Sequence, residues 1–242
     1  MKKLLIIPLF FLAFMVCYNM SAQYLKLSGF DNKLIHFGFA LSYNDADYYI
    51  QRSIEFQFAD DSLQSLVIDS RPGFTLGVIS SLNFNPNFKL RFAIPSLSFQ
   101  ERVLEYTFLE NPSNGDTKTI KKDIRPVYLE FPAMFKFRTD RIDNWAAYGI
   151  TGIRFGIDMA SNKDVNNLSA NPEDQIVKIK KTDFGFEFGG GFDFFLEYFK
   201  FGIELKLGAG MMNIHLDEGT SFDNPIDFLR SKVWTFSLTF EG

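Results

Sequence analysis

Two histidines, His36 and His215, are the side chains best suited to proton transfer near neutral pH. A general base needs a nucleophile or a proton-bearing group within hydrogen-bond reach. Neither histidine has a serine and a carboxylate at a spacing that would supply one, and the strand pattern below puts them at opposite ends of the molecule. His36 is expected to pack in a lumen and His215 to sit in a loop. The only cysteine is Cys17, inside the N-terminal apolar stretch, so thiolate chemistry, disulfides and cysteine–zinc sites are excluded from the mature chain. Gly189-Gly190-Gly191 lies within a strand pattern, with no Lys-Ser/Thr and no helix behind it. It therefore reads as close backbone packing, not as a phosphate loop. The acidic pairs Asp60-Asp61 and Glu173-Asp174 lack the ordered ligand spacing of a calcium loop and read as solvated turns. No catalytic, cofactor or metal site is expected, and no small-molecule substrate.

The start of the chain has three parts: Met1-Lys2-Lys3, the apolar run from Leu4 to Val16, and the small residues Ser21-Ala22 before Gln23. This is the pattern of a secretory signal, predicted over 1–22 and followed by one domain over 23–242. The apolar run has 13 residues, short of the ~20 that a transmembrane helix needs. Val16 stands before Cys17 where lipidation prefers a small residue. The formal net charge is -4; without Lys2 and Lys3, 23 basic residues face 29 acidic ones, or -6. An acidic balance argues against nucleic acid as a partner.

The elements that must position the remaining charges follow from a period of two. Phe184, Phe186, Phe188, Phe192 and Phe194 alternate with Gly185, Glu187, Gly189, Gly191 and Asp193. Phe199, Phe201, Ile203, Leu205 and Leu207 alternate with Lys200, Gly202, Glu204, Lys206 and Gly208. Seven glycines between 184 and 211 would each cost a helix ~1 kcal/mol. Eight such segments occur, near 34–43, 73–82, 88–99, 124–138, 145–158, 183–195, 199–212 and 232–241. Long connections (44–72, 100–123, 159–182 and 213–231) alternate with short ones. That is the signature of an all-β, eight-stranded antiparallel up-and-down transmembrane barrel of the outer membrane, with both termini on the periplasmic side.

A soluble eight-stranded barrel would carry the same alternation with the faces reversed. Sterics separate the two. Eight strands leave an interior just wide enough for side chains to fill it. Glycine, serine and alanine suit that interior, whereas thirty phenylalanines suit lipid. Phe88, Phe137, Trp145, Phe194, Phe199 and Phe240 gather at the short-turn ends as an interfacial girdle in contact with outer-membrane lipids.

With phenylalanine outward, Lys89, Arg91, Lys136, Arg154, Lys200 and Lys206 face inward with Glu130, Asp158, Glu187, Asp193 and Glu204. Buried charges must pair, so these residues are expected to form a structural plug and not a conducting path. In the hairpin of 183–195 and 199–212, a two-residue turn at Leu196-Glu197 would set Asp193 opposite Lys200 and Glu187 opposite Lys206. Glu130 and Arg154 are expected to meet on a diagonal.

Several segments carry a resemblance. They are Leu34-Ile35-His36-Phe37-Gly38-Phe39, Pro72-Gly73-Phe74, Leu90-Arg91-Phe92, Gln100-Glu101-Arg102, Leu104-Glu105-Tyr106 and Leu129-Glu130-Phe131-Pro132, followed by Asp158-Met159-Ala160-Ser161, Phe199-Lys200-Phe201, Glu204-Leu205-Lys206 and Leu229-Arg230-Ser231-Lys232. In order and spacing, together they resemble the PorT (SprT) family of small outer-membrane barrels. The run Trp145-Ala146-Ala147-Tyr148-Gly149-Ile150 departs from the Arg-Pro-Tyr-like start expected there. The resemblance implies an accessory role in type IX protein secretion, and in gliding motility where present. It also implies other secretion proteins as partners and no catalytic residue set. Tyr48, Tyr49 and Ile50 would serve such contacts or simply extend a strand above the membrane.

Overall fold

A computed structural model describes residues 25–53, 63–111, 113–165, 167 and 174–242. The predicted signal, Asp60-Asp61 and Glu173 lie outside them. A short 3-10 turn, Phe30–Asn32, precedes β1 (Ile35–Arg52), β2 (Leu63–Asn83), β3 (Phe88–Asn111), β4 (Asp116–Ile124) and β5 (Val127–Arg138). There follow β6 (Trp145–Asp158), the two-residue β7 (Lys178–Ile179), β8 (Thr182–Phe195), β9 (Lys200–Gly210), the two-residue β10 (His215–Leu216) and β11 (Ile226–Glu241).

All pairings are antiparallel. The order is β2-β1-β11-β9-β8-β6-β5-β3-β4, and β2 also pairs with β3. The pairings therefore run in a ring of eight strands, with β4 attached outside the ring to the upper part of β3. β3 changes partner near Gln100, whose N–H donates to the Pro126 carbonyl at 3.2 Å. β4 and β5 are thus one strand interrupted at Arg125-Pro126, where proline cannot donate to the ladder. Among the described residues no helix is long and apolar enough to cross a membrane.

Phenylalanine faces outward, as its phase requires. Phe186, Phe188 and Phe192 are each about half exposed, whereas Glu187 and Asp193 are buried. The girdle residues share one rim. Trp145 is opposite Phe194 in the register, Phe88 lies 4.8 Å from Phe137, and Phe199 lies 5.9 Å from Phe240.

The long connections differ from expectation. Much of 44–72 and 100–123 is strand, because β1 runs to Arg52, β2 begins at Leu63, and β3 and β4 form a hairpin. Tyr48, Tyr49 and Ile50 belong to this extension. Alternation persists there with its sense inverted. Asp45 and Asp47 take the outward phase of Phe39 and Leu41, while Ala46 and Tyr48 turn inward and are buried. The inward residues meet in an apolar core of Tyr48, Leu66, Leu104, Tyr106, Phe222 and Leu229, with Ile179 and Ile214 from the segments around β7 and β10 packed into it. Tyr106 donates its hydroxyl to the Phe222 carbonyl at 2.8 Å. This core occupies the long-loop end of the molecule.

Candidate functional site in the lumen

The strand phase delivers ten of the eleven expected charges to the interior as ion-pair partners, and nine of those to one continuous network. Lys136 pairs with Asp193 at 2.8 Å, and Lys200 reaches Asp193 at 3.7 Å and Glu241 at 2.9 Å. Arg91 bridges Glu241 (2.9 Å) and Glu204 (2.8 Å) across the lumen. Lys206 joins Glu204 (3.7 Å) to Glu187 (3.0 Å). Arg154 completes the chain, with Glu187 at 3.7 Å, Glu130 at 2.7 Å and Asp183 at 2.9 Å. Signs alternate along this ladder, so almost every charge sits between two of the opposite sign. In a low-dielectric interior that arrangement offsets the large cost of removing each ion from water.

Two expected members lie elsewhere. Lys89 pairs at 3.0 Å with Asp31, outside the ladder. Asp158 has no ion-pair partner among the described residues. Its carboxylate accepts the backbone N–H groups of Val127 (3.1 Å) and Ala160 (2.9 Å), and so ties off the top of β6.

The expected register of the β8–β9 hairpin is wrong by two residues. Phe195 ends the pairing opposite Lys200, not opposite Tyr198, and residues 196–199 form a four-residue turn in place of the two-residue turn at Leu196-Glu197. Glu187 lies opposite Gly208 and Asp193 opposite Gly202; Lys206 lies opposite Gly189 and Glu204 opposite Gly191. Four of the five charged side chains therefore face a glycine, and the fifth, Lys200, faces Phe195. A Cβ at Gly189 or Gly191 would run into the carbonyl of Leu205 or Ile203 on β9, and at Gly191 also into the Tyr148 ring. Two long side chains directly opposed would compete for the same space in so narrow a lumen. The diagonal offset lets them lean past each other and still form the Glu187–Lys206 and Asp193–Lys200 contacts. The Glu130–Arg154 contact is likewise diagonal, since the register sets Glu130 opposite Gly156.

The opposite wall is built from small hydroxyl and amide side chains. Ser42 donates to Ser237 at 2.9 Å, and the Asn44 amide donates to Thr75 at 2.9 Å. A cavity of about 60 Å³ lies between this wall and the ladder, with Ser42, Thr75, Ser237 and Thr239 facing Arg91 and Glu204. That is room for a few waters, each needing ~10–15 Å³.

Sequence reasoning missed Glu241 and Asp183, although both lie in the inward phase of segments it had recognised. It also missed the occupant of the short-turn mouth. Phe30 is buried there, stacked on His36 with ring centroids 3.7 Å apart. Asp31 accepts from Lys89 at 3.0 Å, Arg138 at 2.9 Å and Arg141 at 2.7 Å. Burial alone would raise the Asp31 carboxyl, but the hydrogen bond from Arg138 and the charges of Lys89 and Arg138 hold it well below the usual carboxylate range. Residues 24–33 carry no strand period, so nothing in the sequence pointed to this role.

The two histidines share no partner. His36 Nδ1 lies 3.4 Å from the Gly242 carbonyl. His215 Nε2 lies 3.2 Å from Asp223, whose other oxygen accepts the Thr220 hydroxyl at 2.7 Å. That hydroxyl is bonded to the carboxylate and not to the imidazole, so it is not placed for activation by His215. Among the described residues no group of three His, Cys, Asp or Glu side chains is placed to hold a metal ion.

An antiparallel ring of strands with phenylalanine outside and paired ions inside defines an outer-membrane β-barrel. The chain belongs to the outer membrane protein beta-barrel domain family, which matches residues 21–216. In architecture it is similar to the outer membrane protein OprG from Pseudomonas aeruginosa, with 16% identity over 86% of this chain and 92% of that one and a TM-score of 0.45. It is also similar to Ail, the attachment invasion locus protein of Yersinia pestis, with 12% identity over 87% and 100% of the two chains and a TM-score of 0.38. A third similar structure is Neisserial surface protein A, with 13% identity over 84% and 95% and a TM-score of 0.37. No relative was found among curated protein sequences.

Proposed function

We propose that this outer-membrane barrel is an accessory or assembly component of type IX protein secretion, as its resemblance to the PorT (SprT) family implies. It acts through protein–protein contacts and not as the cargo pore. The observation that supports this reading is the ladder from Lys136 to Asp183. It crosses the lumen as a structural plug, with the apolar core above it and Phe30 below. A barrel filled in this way has no path for a folded cargo, so its contribution to export comes from its surfaces. The eight ring strands run up and down through the membrane, with both termini and the short turns in the periplasm and the β3–β4 hairpin outside the cell.

Deleting the gene and assaying the culture supernatant for proteins with C-terminal sorting domains tests this role. Their retention in the cell is expected, restored by the plasmid-borne chain. Unchanged export would leave a structural or adhesive barrel, for which the strands projecting above the apolar band are the relevant feature. Planar-bilayer recording tests the plug separately: little steady conductance is expected, and a large steady current would overturn it.

A further inference from the structure

The short-turn mouth is occupied by the chain's own Phe30 and Asp31. The aromatic seat is deep. Phe30 is stacked on His36, meets Phe195 edge-on at 6.1 Å, and has the Lys89 and Lys200 ammonium groups 5.4 and 4.9 Å from its ring centre. Yet Leu25, Lys26, Ser28, Gly29, Asn32 and Lys33 around it are exposed. Few other bonds hold the segment: Arg141 to the Lys26 and Leu27 carbonyls, Asn144 to the Lys26 N–H, and Asn83 to the Lys33 carbonyl.

The charge count at the mouth does not balance. Lys89, Arg138 and Arg141 all converge on one carboxylate, that of Asp31. Donors are left over as well. Arg138 Nε and Arg141 Nε are buried without a hydrogen-bond partner, and the Arg138 side chain is almost wholly enclosed. Three cations and two idle donors suit a ligand with more negative charge than the resident one. Arginine in particular rewards a second carboxylate, because its planar fork binds carboxylates in pairs of hydrogen bonds.

We propose that this mouth is an acceptor for a partner-protein segment presenting one aromatic side chain beside two carboxylates, and that Phe30 and Asp31 fill it in the free chain. The resident turn acts as an internal competitor, displaced when the better-matched segment arrives. The inference deepens the proposed secretion role, giving the barrel's periplasm-facing end a class of ligand, and rests on that reading only for where the partner is found.

The test uses the full chain refolded in detergent and two fluorescein-labelled nonapeptides. One has the sequence of residues 25–33; the other is the same peptide with Asn32→Asp, which adds the second carboxylate. Binding is followed by fluorescence anisotropy to wild type, to the vacated Phe30→Ala/Asp31→Asn chain, and to that vacated chain with Arg138→Gln/Arg141→Gln added. The two-carboxylate peptide is expected to bind the vacated Phe30→Ala/Asp31→Asn chain at least ~10-fold more tightly than wild type, and more tightly than the one-carboxylate peptide does. The double arginine variant should lose that binding. Heat-modifiable mobility on gels reports whether each variant has folded. Should the vacated chain fail to fold, Asp31→Asn alone, which keeps the aromatic in place, should show a smaller gain in the same direction. Equal binding to wild type and vacated chain, no binding to a folded vacated chain, or no preference for the second carboxylate would each overturn the proposal. None of these results depends on the export phenotype, so failure of the acceptor and failure of the secretion role remain separate outcomes.

Discussion

The lower and upper parts of the same strands obey opposite rules. In the lower part of β1, Phe37, Phe39, Leu41 and Tyr43 point out while His36, Ser42 and Asn44 point in; above it, Asp45 and Asp47 point out while Ala46 and Tyr48 point in. β11 makes the same change, from Phe236 and Trp234 outward to Lys232 and Arg230 outward. The surroundings explain the inversion. Below, the outer solvent is hydrocarbon, so polar groups must be satisfied inside the ring. Above, the outer solvent is water, so the ring interior becomes an ordinary apolar core. One chain thus carries two kinds of inside, held by ions in one and by hydrophobic burial in the other.

The sharpest way to break this comparison is to remove the hub of the ionic interior. Arg154→Met leaves Glu130 and Asp183 buried without their cation, at an expected cost of about 3–5 kcal/mol. The temperature at which the folded band on heat-modifiable gels is lost should fall steeply, and Arg154→Lys should recover part of the loss. An unchanged transition would show that the ladder is not what holds the lower part together.

A matched pair of surface changes probes the two outer solvents. Phe188 and Tyr49 are both outward and about half or more exposed, one in the lower part and one in the upper. Phe188→Arg should cost about 2–4 kcal/mol, the expected penalty for a cation in the lipid-facing band. Tyr49→Arg should stay within about 0.5 kcal/mol, as for an ordinary surface change. Urea titrations of the refolded chain in lipid vesicles compare them, and similar losses at the two sites would remove the distinction between the solvents.

How far the sequence could be read follows from the same inversion. The lower part was legible because phenylalanine against glycine is a strong contrast at a period of two. The phase of Glu187 and Lys206 followed from it, and so did the diagonal contact of Arg154 with Glu130. The upper part was largely hidden because its polar-out, apolar-in alternation, as in Asp45-Ala46-Asp47 and Leu104-Glu105-Tyr106, has the polarity of a soluble strand and so was counted with the long connections, strand extension being weighed only at Tyr48–Ile50. The hairpin register was misjudged because pairing opposite charges directly ignores volume: Gly202 and Gly208, not lysines, face the carboxylates. The mouth was illegible for a different reason. Phe30 and Asp31 act through contacts with strands up to 170 residues away, Phe195 and Lys200 among them, and no local pattern encodes such a meeting.

The upper interior should respond in the manner of any packed core, by increments. Ile214 is fully buried in it. Ile214→Val removes one methylene and is expected to cost about 0.5–1.5 kcal/mol. The loss should appear as faster protease nicking of the long loops, with the folded gel band still present. Loss of the folded band at the same temperature as in Arg154→Met would mean that the two interiors unfold as one.

The smallest expected effect concerns acidity at the mouth, which lies outside both interiors. The Asp31 carboxyl is held below its ordinary value of 3.8 by Arg138 and Lys89. A carboxyl depressed in the folded state contributes stability that is fully present above its unfolded value and is lost as pH falls through the folded one. Between pH 7 and pH 5 the resident turn should therefore stay seated, with no change in protease protection of residues 25–33. Release should begin only below about pH 4, where the unfolded carboxyl starts to protonate. Asp31→Asn should remove that acid dependence and leave the segment equally accessible at pH 7 and at pH 3.5. If protection of the wild-type segment were instead lost between pH 7 and pH 5, some group other than Asp31 would be holding it, with His36 beneath Phe30 the first to replace.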